Sequence, residues 1–162
     1  MLQAETTCIC MQVLLLWAHC TTMKQYTILW VDDDDDDKAL MKEILERADK
    51  SFLIVEASNG QELLEFLESV KYTAALPCLI MMDINMPIMN NKATIKNIKA
   101  DTVFCSIPLI VFATPGYEED RKFCKTYSIE MVSKPSTYRD LQHALQKTLS
   151  FCKFNDENKA VS

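Results

Sequence analysis

Five short, mainly apolar runs punctuate this chain, at 26–31, 52–57, 78–82, 109–113 and 129–133. A strand with one face in water alternates apolar and polar residues, whereas a parallel strand covered on both faces reads as a continuous apolar run. Tyr26-Thr27-Ile28-Leu29-Trp30-Val31 and Cys78-Leu79-Ile80-Met81-Met82 have the second character. Between the runs the apolar spacing changes to that of a helix. Leu40, Met41, Ile44, Leu45 and Ala48 make one stripe, Leu63, Leu64, Leu67 and Val70 another, and Leu141, Ala144, Leu145 and Leu149 the last. Two shorter helices are expected near 92–100, on Ile95 and Ile98, and near 118–126, on Phe123. Strand and helix thus alternate five times, which predicts an α/β domain of five βα units around a parallel sheet.

Three of the runs end in charge: the first passes into Asp32-Asp33, the third into Asp83 and the fifth into Lys134. Open α/β sheets place their ligand chemistry just beyond the carboxyl ends of the strands, so these groups are expected to converge. Carboxylates 4 Å apart repel by about 4 kcal/mol per pair at an effective dielectric near 20, and a cation is needed to neutralise them. All-oxygen ligation with few protein ligands suits magnesium, which also orients a phosphoryl donor.

The net charge of −6 fits that picture. Six consecutive aspartates run from Asp32 to Asp37, and without them the remaining 17 acids balance the 17 bases. A local acid cluster on a neutral background points to a cation site and gives no support to nucleic-acid binding. Asp34 to Asp37 also read as a helix N-terminus, where carboxylates cap free amides and favour the positive end of the dipole. With 162 residues, 49% of them apolar, the chain is long enough for one core and too short for two. Only Gly60 and Gly116 are available, which excludes a glycine-rich phosphate loop. The seven cysteines show no zinc spacing and are expected to be reduced, mostly buried thiols. His19 and His143 are far apart, and His143 is expected to be solvated on the last helix. Residues 1–22 are read as an extension outside the core, because Met23-Lys24 directly before the first strand resembles a start. The apolar stretch 8–20 is short for a membrane helix of about 20 residues and lacks the basic flank of a signal peptide. The domain is therefore expected at 23–152, with a polar tail at 153–162, in a cytoplasmic protein with no membrane segment.

Four segments together carry a family resemblance: Ile28-Leu29-Trp30-Val31-Asp32-Asp33-Asp34, Glu56-Ala57-Ser58-Asn59-Gly60-Gln61-Glu62, Met82-Asp83-Ile84-Asn85-Met86-Pro87, and Lys134-Pro135. In this order they resemble the receiver domain of two-component response regulators, CheY-like proteins. The resemblance implies a flavodoxin-like (βα)5 fold with strand order 2-1-3-4-5. It implies that Asp83 accepts a phosphoryl group from a histidine kinase or a histidine phosphotransfer protein, and that Lys134 bridges to the acyl phosphate. It assigns Mg2+ to Asp33, Asp83 and the backbone carbonyl of Asn85, with Asp32 acting mainly through water. A stand-alone receiver of this kind would signal through its own surface. The face made by the fourth helix, fifth strand and fifth helix would be the output surface and a homodimer contact.

The chain departs from the family pattern at the end of the fourth strand, where a threonine or serine is usual and Ala113 stands, followed by Thr114. Thr114 is expected to substitute after a one-residue shift. Met131 occupies the place of an aromatic switch residue, so methionine repacking is expected instead. Asn90-Asn91 replaces Asp-Gly after the Met-Pro turn, and asparagine tolerates that backbone. Two rivals follow: a pseudo-receiver that binds partners without phosphorylation, and an aspartate-nucleophile phosphatase, which would want a second acid where this chain has Asn85.

Overall fold

A computed structural model describes residues 26–48, 51–73, 75–86, 91–113 and 116–134, with 139, 140, 142, 143, 146 and 149. Strands β1 (Tyr26–Val31), β2 (Phe52–Ala57), β3 (Leu79–Asp83), β4 (Leu109–Ala113) and β5 (Glu130–Ser133) alternate with helices α1 (Asp35–Ala48), α2 (Gly60–Val70), α3 (Asn91–Ala100) and α4 (Glu118–Thr126). A 3-10 turn, Phe104–Ser106, precedes β4. All strand pairs are parallel and the order across the sheet is β2-β1-β3-β4-β5, as the sequence predicts.

The unbroken apolar runs are explained by two cores, one on each face. Leu29 and Val31, Ile80 and Met82, and Leu109, Val111 and Ala113 turn to one side, against Leu63 and Leu67 of α2, Ile95 and Ile98 of α3 and Cys124 of α4. The intervening residues, Ile28 and Trp30, Leu79 and Met81, and Ile110 and Phe112, pack on the other side against Met41, Ile44 and Leu45 of α1 and against Leu149. Each valine, leucine, isoleucine, methionine or phenylalanine among them gives about 1.5–3 kcal/mol on burial. The edge strand β2 is less covered: Leu53 and Glu56 are exposed.

Side chains set the starts of α1 and α2. Asp34 Oδ1 accepts from the amides of Asp36 and Asp37 at 2.9 and 3.3 Å, capping α1. Asn59 Oδ1 accepts from Gln61 and Glu62 at the start of α2, while Glu62 Oε2 accepts from the Ser58 amide at 2.8 Å. Gly60 lies so close to α3 that a β-carbon there would stand 2.2 Å from Thr94 Oγ1.

His143, Gln146 and Leu149 are helical, with His143 exposed as expected and Leu149 buried. Leu141, Ala144 and Leu145, the extension 1–22 and the tail 153–162 lie outside the described residues. The expectation of reduced thiols needs correction. Cys124 is free and buried, but Cys105 is free and exposed, and Cys78 is in a disulfide whose partner lies outside the described residues. Cys78 sits half-buried at the amino-terminal edge of the sheet. Among the described residues no helix is long and apolar enough to cross a membrane.

Candidate functional site

Counting by twos along each strand carries three charges to one side of the sheet. Ile28 and Trp30 lead to Asp32, Leu79 and Met81 to Asp83, and Val132 to Lys134, all on the α1 side. Val31 pairs with Met82, so Asp32 and Asp83 follow side by side. The backbone at this edge is still held by the sheet: Asp32 N donates to Ala57 O at 3.1 Å, Ile84 N to Phe112 O at 3.0 Å and Lys134 N to Ala113 O at 2.8 Å.

Lys134 Nζ closes the site. It lies 2.7 Å from Asp83 Oδ2, 3.3 Å from Asp32 Oδ2 and 2.5 Å from Asp37 Oδ2. Asp32 is 0% and Asp83 6% exposed, so both carboxylates have left water and depend on these partners. Their other oxygens are bound as well, Asp32 Oδ1 by the Asp34 amide at 2.9 Å and Asp83 Oδ1 by the Asn85 amide at 2.8 Å. Each carboxylate is thus fixed with one oxygen on its own loop and the other toward the ammonium.

Electrostatics follow from this packing. Burial pushes the Asp32 carboxyl above its ordinary value, and the Asp83 charge adds to that push, against the Asp34 amide and Lys134. For Lys134 burial pulls downward, but hydrogen bonds to Asp37 and Asp83 and the charges of Asp83 and Asp32 outweigh it and hold the ammonium above its ordinary value. Lys134 is therefore a permanent cation at neutral pH.

Of the residues marked in the sequence, Asp32, Asp83 and Lys134 are in direct contact. Asp33 is exposed one position beyond Asp32, and among the described residues no ion pair or hydrogen bond joins its side chain to Asp83 or Lys134. Asn85 is exposed in the turn after Asp83. Thr114 lies outside the described residues, while Ala113 is buried and Met131 packs partly buried on the same core.

Three residues not read as site residues in the sequence also take part. Asp37 binds Lys134, and Lys38 is buried with its Nζ 3.0 Å from Ser58 Oγ and 2.8 Å from Asp35. Both continue the Met41, Ile44, Leu45 stripe of α1 back by one turn, a signal masked by reading Asp34 to Asp37 as caps. Asn91, at the head of α3, donates from Nδ2 to the carbonyls of Asp83 and Ile84 at 3.3 and 3.1 Å. The sequence marked it only as a turn residue in place of glycine, and its reach to these carbonyls went unread.

The donor chemistry fits a hard divalent cation: two buried carboxylates stand side by side, and burial disfavours the ionised form of Asp32 unless positive charge is near. Among the described residues no three carboxylate, thiol or imidazole side chains are gathered at metal-holding distance. Lys134 now holds the inward oxygens of the acids.

The family described as "Response regulator receiver domain" matches residues 28–146 of the chain. A protein-glutamate methylesterase/protein-glutamine glutaminase of Methanococcoides burtonii is 34% identical over 113 residues, 65% of this chain and 30% of that protein. The nitrate/nitrite response regulator protein NarL of Escherichia coli K12 is 33% identical over 94 residues, 58% of this chain and 40% of that protein. The chain thus spans less than half the length of these curated relatives. Among solved structures, the phosphorylated cyanobacterial phytochrome response regulator RcpA superposes with a TM-score of 0.70 at 23% identity, over 78% of this chain and 93% of that one. The chemotaxis response regulator CheY4 of Vibrio cholerae gives 0.63 at 21% identity, over 76% and 98%. These two likenesses establish a shared fold. Because the family pattern covers most of the chain, and the sheet order and strand-end acids agree with it, the chain belongs to the response regulator receiver domain family.

Proposed function

We propose that this receiver accepts a phosphoryl group on Asp83 from a phosphohistidine of a histidine kinase or histidine phosphotransfer protein. The observation that supports this most strongly is Lys134 Nζ at 2.7 Å from Asp83 Oδ2, with buried Asp32 beside them. A carboxylate oxygen of Asp83 attacks phosphorus, the P–N bond breaks, and the electron pair leaves with the imidazole. Negative charge is then spread over the equatorial phosphoryl oxygens, where a preset ammonium is worth most. Lys134 supplies it without reorganising, because Asp32 and Asp37 already hold it in place. Mg2+, when bound, adds positive charge against the same oxygens; Asp33, Asp83 and the Asn85 carbonyl would hold it directly and Asp32 through water.

Ala113 presents a methyl where a hydroxyl would donate to the phosphoryl group, and Thr114 is proposed as its stand-in. Output is assigned to the receiver surface formed by α4, β5 and the last helix, also the proposed homodimer face, in the cytoplasm. The role is signalling and not turnover of an external substrate. Buried Ala113 favours a second reading, a pseudo-receiver that keeps the fold without phosphorylation.

Incubation with acetyl phosphate, with and without Mg2+, separates the two. A one-phosphoryl mass gain that requires the metal and is absent in Asp83→Asn supports the receiver. No gain under any condition favours the pseudo-receiver, and steady release of phosphate from many donors would indicate a phosphatase.

A further inference from the structure

We propose that Asn91 is a positioning residue for the accepting carboxylate, an amide clamp at the head of α3 that fixes the chain just beyond Asp83; this rests on the reading of Asp83 given above. Its Nδ2 donates to two consecutive carbonyls, Asp83 O at 3.3 Å and Ile84 O at 3.1 Å. The Ile84 amide is already engaged with Phe112 O at 3.0 Å, and the Asn85 amide with Asp83 Oδ1 at 2.8 Å. The two peptide groups that follow the acceptor are therefore held on both sides. Their orientation decides where the Asn85 N–H points, and that bond turns Asp83 Oδ2 toward Lys134.

The anchor is rigid. Asn91 is 3% exposed, and Thr94, Ile95 and Ile98 of the same helix are buried. Two donors on one short side chain are needed to serve both carbonyls: serine has one, and aspartate would set a carboxylate against two acceptors. Among the described residues, Asn91 Oδ1 is buried without a hydrogen-bond partner. An amide whose acceptor end is left unpaired is held for its donors, since buried polar groups are otherwise matched. The resembling pattern has glycine at this position, so the clamp is a device of this chain.

The test uses the full chain with Asn91→Ala and Asn91→Gly, which remove both donors, and Asn91→Ser, which keeps one. Phosphorylation by acetyl phosphate at saturating Mg2+ is measured as maximal rate and half-saturating donor concentration, and amide exchange of Ile84 and Asn85 is followed in metal-free protein. The clamp predicts a maximal rate lowered about tenfold or more per folded molecule, with half-saturation nearly unchanged, faster exchange at Asn85, and partial recovery in Asn91→Ser. If the Ala and Gly variants match the parent in rate and exchange, or if rate falls only with the folded fraction, the clamp is overturned. If the parent itself takes no phosphoryl group, the reading of Asp83 fails instead, and Asn85 exchange in the variants still decides the clamp.

Discussion

Replacing Lys134 by methionine would leave Asp32, Asp37 and Asp83 facing one another with no cation between them. The inward oxygens of Asp32 and Asp83 lie 3.3 and 2.7 Å from one nitrogen, so they stand at most about 6 Å apart. At an effective dielectric near 20, their mutual repulsion is about 3 kcal/mol. Removing one partner of a buried ion pair costs about 3–5 kcal/mol. Lys134 is 29% exposed, which places the expected loss near the lower end of that range. Methionine retains most of the stem and its packing, so the loss is electrostatic. The assay is urea unfolding in EDTA, with far-UV circular dichroism, at pH 7 and at pH 5. Burial already raises the Asp32 carboxyl, and without the ammonium it rises further. A folded-state pKa above the unfolded one contributes stability that is present below the ordinary carboxylate value and is lost as pH rises through the raised value. The variant should therefore fall furthest behind the parent at pH 7 and recover part of the gap at pH 5. Equal stability at pH 7, or a gap that widens on acidification, would refute the reasoning.

Gly60→Ala would force a β-carbon to within 2.2 Å of Thr94 Oγ1 and should destabilise by about 1–3 kcal/mol in urea unfolding, an effect mostly absent when the same change is made in a Thr94→Ala background. Burial pushes the Cys124 thiol above its ordinary pKa, whereas Cys105 is exposed, so brief alkylation of native protein at pH 8 should label Cys105 and spare Cys124 in peptide mass mapping. Asp37→Asn would remove one of the three carboxylates on Lys134, and the ammonium's pKa, followed by NMR, should fall toward the ordinary lysine value.

The fold was legible because two buried faces leave a plain trace: Ile28 to Val31 and Leu79 to Met82 are apolar without a break, and each alternate residue serves a different core. The strand-end positions of Asp32, Asp83 and Lys134 followed from the same logic, since parity and parallel register place them on one side of one edge. What stayed hidden depends on reach rather than period. Asp37 was indistinguishable from its neighbours in a run of identical residues, although one caps the helix and another pairs with a lysine nearly a hundred positions on. Asn91 acts through a side-chain amide on backbone carbonyls, and no hydrophobic pattern encodes that contact. The Cys78 disulfide escaped for a related reason: spacing along the chain does not tell which thiols meet in space.

The central claim is that Asp83 carries the phosphoryl group. Borohydride reduction of acetyl phosphate-treated protein, followed by peptide mapping, tests it directly, because an acyl phosphate is reduced to an alcohol whereas a free carboxylate is not. The account predicts reduction at Asp83 alone, dependent on Mg2+; reduction at another acid, an acid-stable phosphoryl group on a serine or threonine, or no modification at all would contradict it.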